Sequence, residues 1–269
     1  MQGHAIACPY CHKMRLSVVQ PYPEWENKSA NLNKLGNLLS SLNGKTDLVI
    51  LPEMFNTGFS MRTDILSESQ DGDTFLWMKE VSEKGDFGLC GSYLVSEGTM
   101  VFNQWVFVAP GEEKSIYNKR HPFSMGGEDQ FITPGKEKLV FSFKGVRISP
   151  YICYDLRFPV WSRHKNEIDL MIYAANWPCA RKNVWNILLR ARAIENQCYV
   201  AGSNRIGTDG NGISYCGDSM IIDPRGEVIV SADHDIEQYI TTDISMNELS
   251  DFRKKFPVLN DADSFTIQP

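Results

Sequence analysis

Leu48-Val49-Ile50-Leu51 is an uninterrupted apolar run of strand length, bracketed by Asp47 and by Pro52-Glu53, and residues 170–174 repeat the theme in the second half of the chain. A strand without polar alternation must be covered on both faces, so such runs demand a sheet buried between layers. The covering layers are legible too. Leu32, Leu35, Leu38, Leu39 and Leu42 recur at helical spacing within residues 29–42, and Trp185, Leu188, Leu189 and Ala193 do so within 184–196. This is the punctuation of an α/β fold.

Further strands are expected over residues 14–19, 88–95, 104–109, 115–117, 138–143, 146–153 and 199–203. A helix is expected near 75–84. Strands at 219–222, 228–230 and 239–242 are expected to close the sheet of the second half. Lys144-Gly145 and Asp223-Pro224-Arg225-Gly226 supply turns. No repeat, low-complexity tract or Pro/Gly/Ser-rich linker divides the 269 residues, so residues 14–269 are expected to form one domain behind an N-terminal extension of residues 1–13.

Charge and composition exclude several function classes. With 27 Lys+Arg against 33 Asp+Glu the net charge is −6, which repels a phosphate backbone, so nucleic acid is not an expected partner. No apolar run approaches the roughly 18 residues of a membrane span. The first residues lack a basic segment followed by a long apolar one, so a soluble cytoplasmic protein is expected. The 7 cysteines (Cys8, Cys11, Cys90, Cys153, Cys179, Cys198 and Cys216) are an odd, scattered set that does not read as a disulfide framework.

Three polar residues stand where a strand runs out: Glu53, Lys119 and Cys153. Strand ends are where α/β folds collect their chemistry. Singly each has a plain reading, because cysteines fill apolar space and most glutamates and lysines are solvated surface groups. Cys153, however, ends an apolar strand that turns sharply towards a helix at Pro159-Val160-Trp161, an elbow expected to present the thiol to solvent.

Together these positions carry a resemblance. Leu51-Pro52-Glu53-Met54-Phe55, Tyr117-Asn118-Lys119-Arg120-His121 and Ile152-Cys153-Tyr154-Asp155-Leu156-Arg157-Phe158-Pro159 resemble, in order, the three signature blocks of the carbon-nitrogen hydrolase (nitrilase) superfamily. Ala174-Ala175-Asn176-Trp177-Pro178 and Ala191-Arg192-Ala193-Ile194-Glu195-Asn196-Gln197 resemble two further blocks. The resemblance runs from about Met14 to the C-terminal region. It implies an α-β-β-α sandwich of two mixed sheets with helices outside, and a homodimer. It also implies a Glu-Lys-Cys triad of Glu53, Lys119 and Cys153, with Glu128 as a second glutamate beside the lysine.

The implied roles agree with independent chemistry. A thiol with an ordinary pKa near 8.5 needs a proton acceptor at neutral pH, which a shielded carboxylate such as Glu53 provides. The tetrahedral intermediate needs donors, here Lys119 and the backbone N–H of Tyr154. No metal and no cofactor are expected.

Within the superfamily, residues 153–163 together with Asn204-Arg205-Ile206-Gly207-Thr208-Asp209-Gly210-Asn211-Gly212 are similar to the bacterial omega-amidases, which deamidate 2-oxoglutaramate and 2-oxosuccinamate. The resemblance thus implies a small-molecule amide substrate bearing a carboxylate, with another small amide, a carbamoyl compound or a nitrile as the alternative. Arg181 or Arg205 is the expected cation for that carboxylate, with Arg157 bracing the elbow. Phe59, Phe123 and Trp177 are candidate pocket walls.

Other signals carry less. Cys8-Pro9-Tyr10-Cys11-His12 matches dithiol and haem-attachment patterns but precedes the first strand and follows no export signal. A papain-like base drawn from His121, His164 or His234 leaves the placement of Glu53 unexplained.

Overall fold

The computed structural model describes residues 13–165 and 167–267, so Cys8, Cys11, His12 and nearly all of the expected N-terminal extension lie outside the described residues. Strands β1 (Lys13–Gln20), β2 (Leu48–Ile50), β3 (Gly88–Glu97), β4 (Met100–Val108) and β5 (Ser115–Asn118) belong to the first sheet. Strands β6 (Phe141–Phe143), β7 (Val146–Ile152), β8 (Leu170–Ala175) and β9 (Tyr199–Asn204) build most of the second. A small hairpin, β10 (Ile206–Thr208) and β11 (Ser214–Cys216), precedes β12 (Met220–Ile222) and β13 (Val228–Ser231), which complete the second sheet. Both sheets are mixed: β1–β2–β3 and β7–β8–β9 run parallel, and their neighbours pair antiparallel.

The last strand, β14 (Gln238–Ser245), departs from expectation. It does not close the second sheet but crosses to the first and pairs antiparallel with β1, from Lys13↔Ser245 to Gln20↔Gln238. With β2 on its other side, β1 leaves one edge of backbone donors and acceptors to be satisfied, and β14 covers it.

Side-chain alternation explains the layering. Leu48 and Ile50 face the core between the sheets with Met14, Leu16, Trp105 and Ile148, whereas Val49 and Leu51 face outward. The outward set is covered by α1 (Lys28–Leu39) and α3 (Asp73–Gly85), which follows the short helix α2 (Thr63–Leu66). Asn27 caps α1 by accepting from the Ala30 N–H at 3.2 Å, and Leu32, Leu35 and Leu39 form its buried stripe.

Beyond the short helix α4 (Pro159–Ser162), α5 (Lys182–Asn196) covers the second sheet with Trp185, Leu189 and Ala193. The chain then adds α6 (Met246–Lys255), a helix with no counterpart among the expected elements.

The α5 contact depends on one glycine. A Cβ on Gly202 of β9 would stand 2.6 Å from Leu189 and 2.8 Å from Trp185, both fully buried. Gly202→Ala is therefore expected to cost about 1–3 kcal/mol through overpacking. Thermal unfolding checks this, and an unchanged midpoint would show that α5 does not press on β9 here.

Candidate active site

Glu53 follows β2, Lys119 follows β5, and Cys153 follows β7, so the layered sheets bring three strand ends to one place. Lys119 and Glu53 lie 66 residues apart in sequence, yet Nζ donates to Glu53 Oε1 at 2.8 Å. The same ammonium donates to Glu128 Oε2 at 2.7 Å and Oε1 at 3.0 Å. All three side chains are fully buried.

Asn103 on β4 donates through Nδ2 to Glu53 at 2.8 Å and to Glu128 at 3.1 Å, and its Oδ1 accepts from Ser92 at 2.9 Å. The Asn176 N–H donates to Glu53 Oε2 at 2.9 Å, while the Asn176 carbonyl lies 3.7 Å from the Cys153 sulfur. Asn176 thus couples the glutamate to the thiol.

The electrostatics follow from burial. Burial pushes the Lys119 ammonium pKa down, but Glu128 and Glu53 outweigh it, with Cys153 adding to them, and the net shift is upward. The lysine is therefore a fixed cation. Burial raises the Glu128 pKa against the pull of Lys119, and the neighbouring Glu53 raises it further. The Cys153 thiol is pushed well above its ordinary pKa, first by burial and then by the Glu53 charge, with Lys119 opposing. It rests protonated at neutral pH.

This corrects the expectation that the elbow thiol faces solvent: Cys153 is only 9% exposed and lies at the wall of a cavity of about 550 Å³. The elbow is a 3-10 turn over Cys153–Arg157, and Cys153 itself holds a left-handed φ of 42°, a strained conformation for a residue with a Cβ.

Asp155 holds that strain. Its Oδ2 accepts from the Ile152 N–H at 3.0 Å and from the Tyr117 hydroxyl at 2.7 Å, and its Oδ1 accepts from the His121 N–H at 3.0 Å. From α5, the buried Arg192 guanidinium donates to the Leu156 carbonyl.

The expected walls Phe59, Phe123 and Trp177 line the cavity. The arginines divide differently from expectation. Arg181 lines it, its guanidinium carbon 5.6 Å from the Phe123 ring centre. Arg157, at the end of the elbow turn, also lines the cavity, 5.2 Å from the Trp177 ring centre. Arg205 is 1% exposed and sits behind the wall, 4.8 Å from the Tyr215 ring centre. Its Nε donates to the Ile206 carbonyl next to it in sequence at 3.0 Å.

The candidate imidazoles are engaged elsewhere: His121 with Asp155, His164 with Tyr151, His234 with Asp218. One further expectation is corrected, because Cys179 and Cys216 form a disulfide where the turn after β8 meets the end of β11. Asn103 and Asp155 were not singled out from sequence. Asp155 lies within the motif that carries Cys153, whereas nothing local marks Asn103.

A carbon-nitrogen hydrolase family model matches residues 15–254. The chain is 41% identical over 254 residues to omega-amidase YafV of Escherichia coli (strain K12), an alignment covering 94% of this chain and 98% of that protein. It is 32% identical over 255 residues to 2-oxoglutaramate amidase of Bacillus subtilis (strain 168), covering 93% and 97%. Among solved structures, XC1258 from Xanthomonas campestris, a CN-hydrolase superfamily protein with an arsenic adduct in its active site, superposes with a TM-score of 0.92 at 41% identity, covering 96% of this chain and 100% of that one. The buried carboxylate–ammonium–thiol arrangement at three strand ends and these full-length likenesses have one reading: the chain belongs to the carbon-nitrogen hydrolase family.

Proposed function

We propose that this protein is an omega-amidase that releases ammonia from the terminal amide of a short 2-oxo dicarboxylate monoamide such as 2-oxoglutaramate, with residues 14–269 as the hydrolase domain. The observation that carries the chemistry is the 2.8 Å contact of buried Lys119 with buried Glu53 beside a cavity-lining cysteine. The relatives named omega-amidase and 2-oxoglutaramate amidase support the substrate class.

The reaction follows from the charges. As the Cys153 sulfur attacks the amide carbon, its proton passes to Glu53, which is needed because burial keeps the thiol protonated. The amide oxygen becomes an oxyanion held by Lys119 and the Tyr154 N–H. Glu53 returns the proton to the departing ammonia, leaving an acyl thioester on Cys153. Glu53 then takes a proton from water, whose oxygen attacks the thioester, and gives that proton to the departing sulfur, so that the 2-oxo acid and the free thiol are released with Glu53 ionised again. Glu128 positions Lys119 by accepting two hydrogen bonds from it.

Arg157 and Arg181 line the cavity and supply positive charge for the far carboxylate of the substrate. Such a chain acts in the cytoplasm. No helix among the described residues is long and apolar enough to cross a membrane. Pairing into a homodimer through α5 is supported by the exposed Ile187 and Ile194, which are two turns apart on one face. A light-scattering mass of a single chain would exclude that pairing.

Ammonia release decides the substrate. Arg157→Ala and Arg181→Ala are expected to raise KM for 2-oxoglutaramate about ten-fold or more, with little effect on an amide of similar length lacking the carboxylate. No ammonia above the Cys153→Ala background would overturn the omega-amidase reading.

A further inference from the structure

Two cavity walls are joined by a bond that the hydrolysis does not use. Pro178 and Arg181 flank Cys179 on the segment after β8, and Tyr215 precedes Cys216 at the end of β11; Pro178, Arg181 and Tyr215 all line the cavity. The Cys179–Cys216 disulfide, 37 residues apart in sequence and with Cα atoms 5.2 Å apart, ties these walls directly.

Cys216 is buried, but Cys179 is half-buried, so one sulfur belongs to a residue that solvent reaches. Beside the pair stands the exposed His234, with a ring nitrogen within 4.8 Å of both sulfurs. The remaining cysteines among the described residues, Cys90, Cys153 and Cys198, are buried thiols. In a reducing compartment a disulfide that persists unchanged is rare, and those that occur are mostly transient, catalytic or redox-sensing.

We infer that Cys179 and Cys216 form a reversible thiol–disulfide exchange site that sets the spacing of two substrate-binding walls. The reductant is a small thiol of the glutathione class. Its thiolate attacks the Cys179 sulfur, the S–S bond breaks, and Cys216 leaves as a thiolate that takes a proton. A second thiol attacks the reductant sulfur of the mixed disulfide, and Cys179 leaves and is protonated in turn. Two electrons and two protons reach the protein while two small thiols become one disulfide.

Opening the bond does not free the walls entirely. Asn204 Nδ2 donates to the Trp177 carbonyl at 3.0 Å and to the Gly217 carbonyl at 2.7 Å, and its Oδ1 accepts from the Trp177 N–H at 2.8 Å. The reduced protein therefore stays folded with its catalytic groups in place, and the disulfide adds a fixed distance between Arg181 and Tyr215. Reduction acts on substrate binding more than on the chemical step. The predicted consequence for KM rests on the cavity being the substrate site, whereas the exchange itself does not.

The test uses the full chain equilibrated in glutathione buffers from fully reduced to strongly oxidising, followed by alkylation and non-reducing peptide mapping. The mapping needs no substrate, so its failure is separate from failure of the omega-amidase reading. The expected result is graded interconversion of the Cys179–Cys216 peptide pair with two alkylated thiols. On samples in which mapping shows free Cys153, reduction is expected to raise KM for 2-oxoglutaramate about three-fold or more with kcat nearly unchanged, as loss of preorganisation predicts. Cys216→Ser and Cys179→Ser should both hold the higher KM in every buffer. Thiols in all buffers, a bond that resists all of them, or a KM that ignores the state of the pair would overturn the inference.

Discussion

Glu53→Gln is expected to lower kcat about 1000-fold or more while leaving the Cys153 thiol open to alkylation, because the substitution removes the proton carrier of both half-reactions but not the nucleophile. The sign of the thiol response follows from its surroundings. Burial and the Glu53 charge raise the Cys153 pKa, and Lys119 lowers it. Neutralising Glu53 deletes one raising influence and leaves Lys119 in place, so alkylation should reach half-maximal rate at a lower pH than in the wild type. Gln also keeps the shape that Asn103 and Asn176 enclose. Stopped turnover with a still-reactive thiol assigns Glu53 to proton transfer. Turnover within about ten-fold of wild type would remove it from that role.

Lys119→Met has the largest expected effect on stability. Glu53 and Glu128 are fully buried on one ammonium, and removing one member of such a network costs about 3–5 kcal/mol because uncompensated charge stays behind. The loss depends on pH in a defined direction. The Glu128 pKa is already raised above the ordinary 4.5 in the presence of Lys119, which lowers it, so without the lysine the shift grows. A carboxyl raised in the folded state favours folding below its unfolded pKa and loses that advantage as pH rises through the folded value. The variant is therefore expected to be more stable near pH 5 than near pH 8. Denaturant unfolding at both values checks this, and a pH-independent loss would contradict it. Activity should fall about 100-fold or more at either pH through the lost oxyanion donor.

The elements that local pattern can specify were legible in the sequence. The apolar run ending at Glu53, the helical stripe of α5 and the Lys144-Gly145 turn, with φ of 44° and 72°, each record their structure in a few neighbouring residues. The candidate site was legible in outline because Glu53, Lys119 and Cys153 each follow a strand, whereas Glu128, in a 3-10 turn, was marked only by the family resemblance.

What escaped depends on distant partners. The switch of β14 to the first sheet is decided by the open edge of β1, more than 200 residues earlier, as the 228-residue separation of the Arg15–Asp243 contact illustrates. The burial of Cys153, the burial of Arg205 and the pairing of Cys179 with Cys216 are likewise set by which loops meet around the cavity. Asn103 is an ordinary strand asparagine until β4 brings it between two glutamates.

Covalent capture of the acyl-enzyme is the decisive measurement. Protein turning over 2-oxoglutaramate is quenched in acid within the first catalytic cycles, digested, and the peptide containing Cys153 is weighed. An added acyl mass is expected on Cys153, absent from Cys153→Ala, which should release no ammonia. Ammonia released by Cys153→Ala at the wild-type rate, with that peptide unmodified throughout, would contradict that expectation.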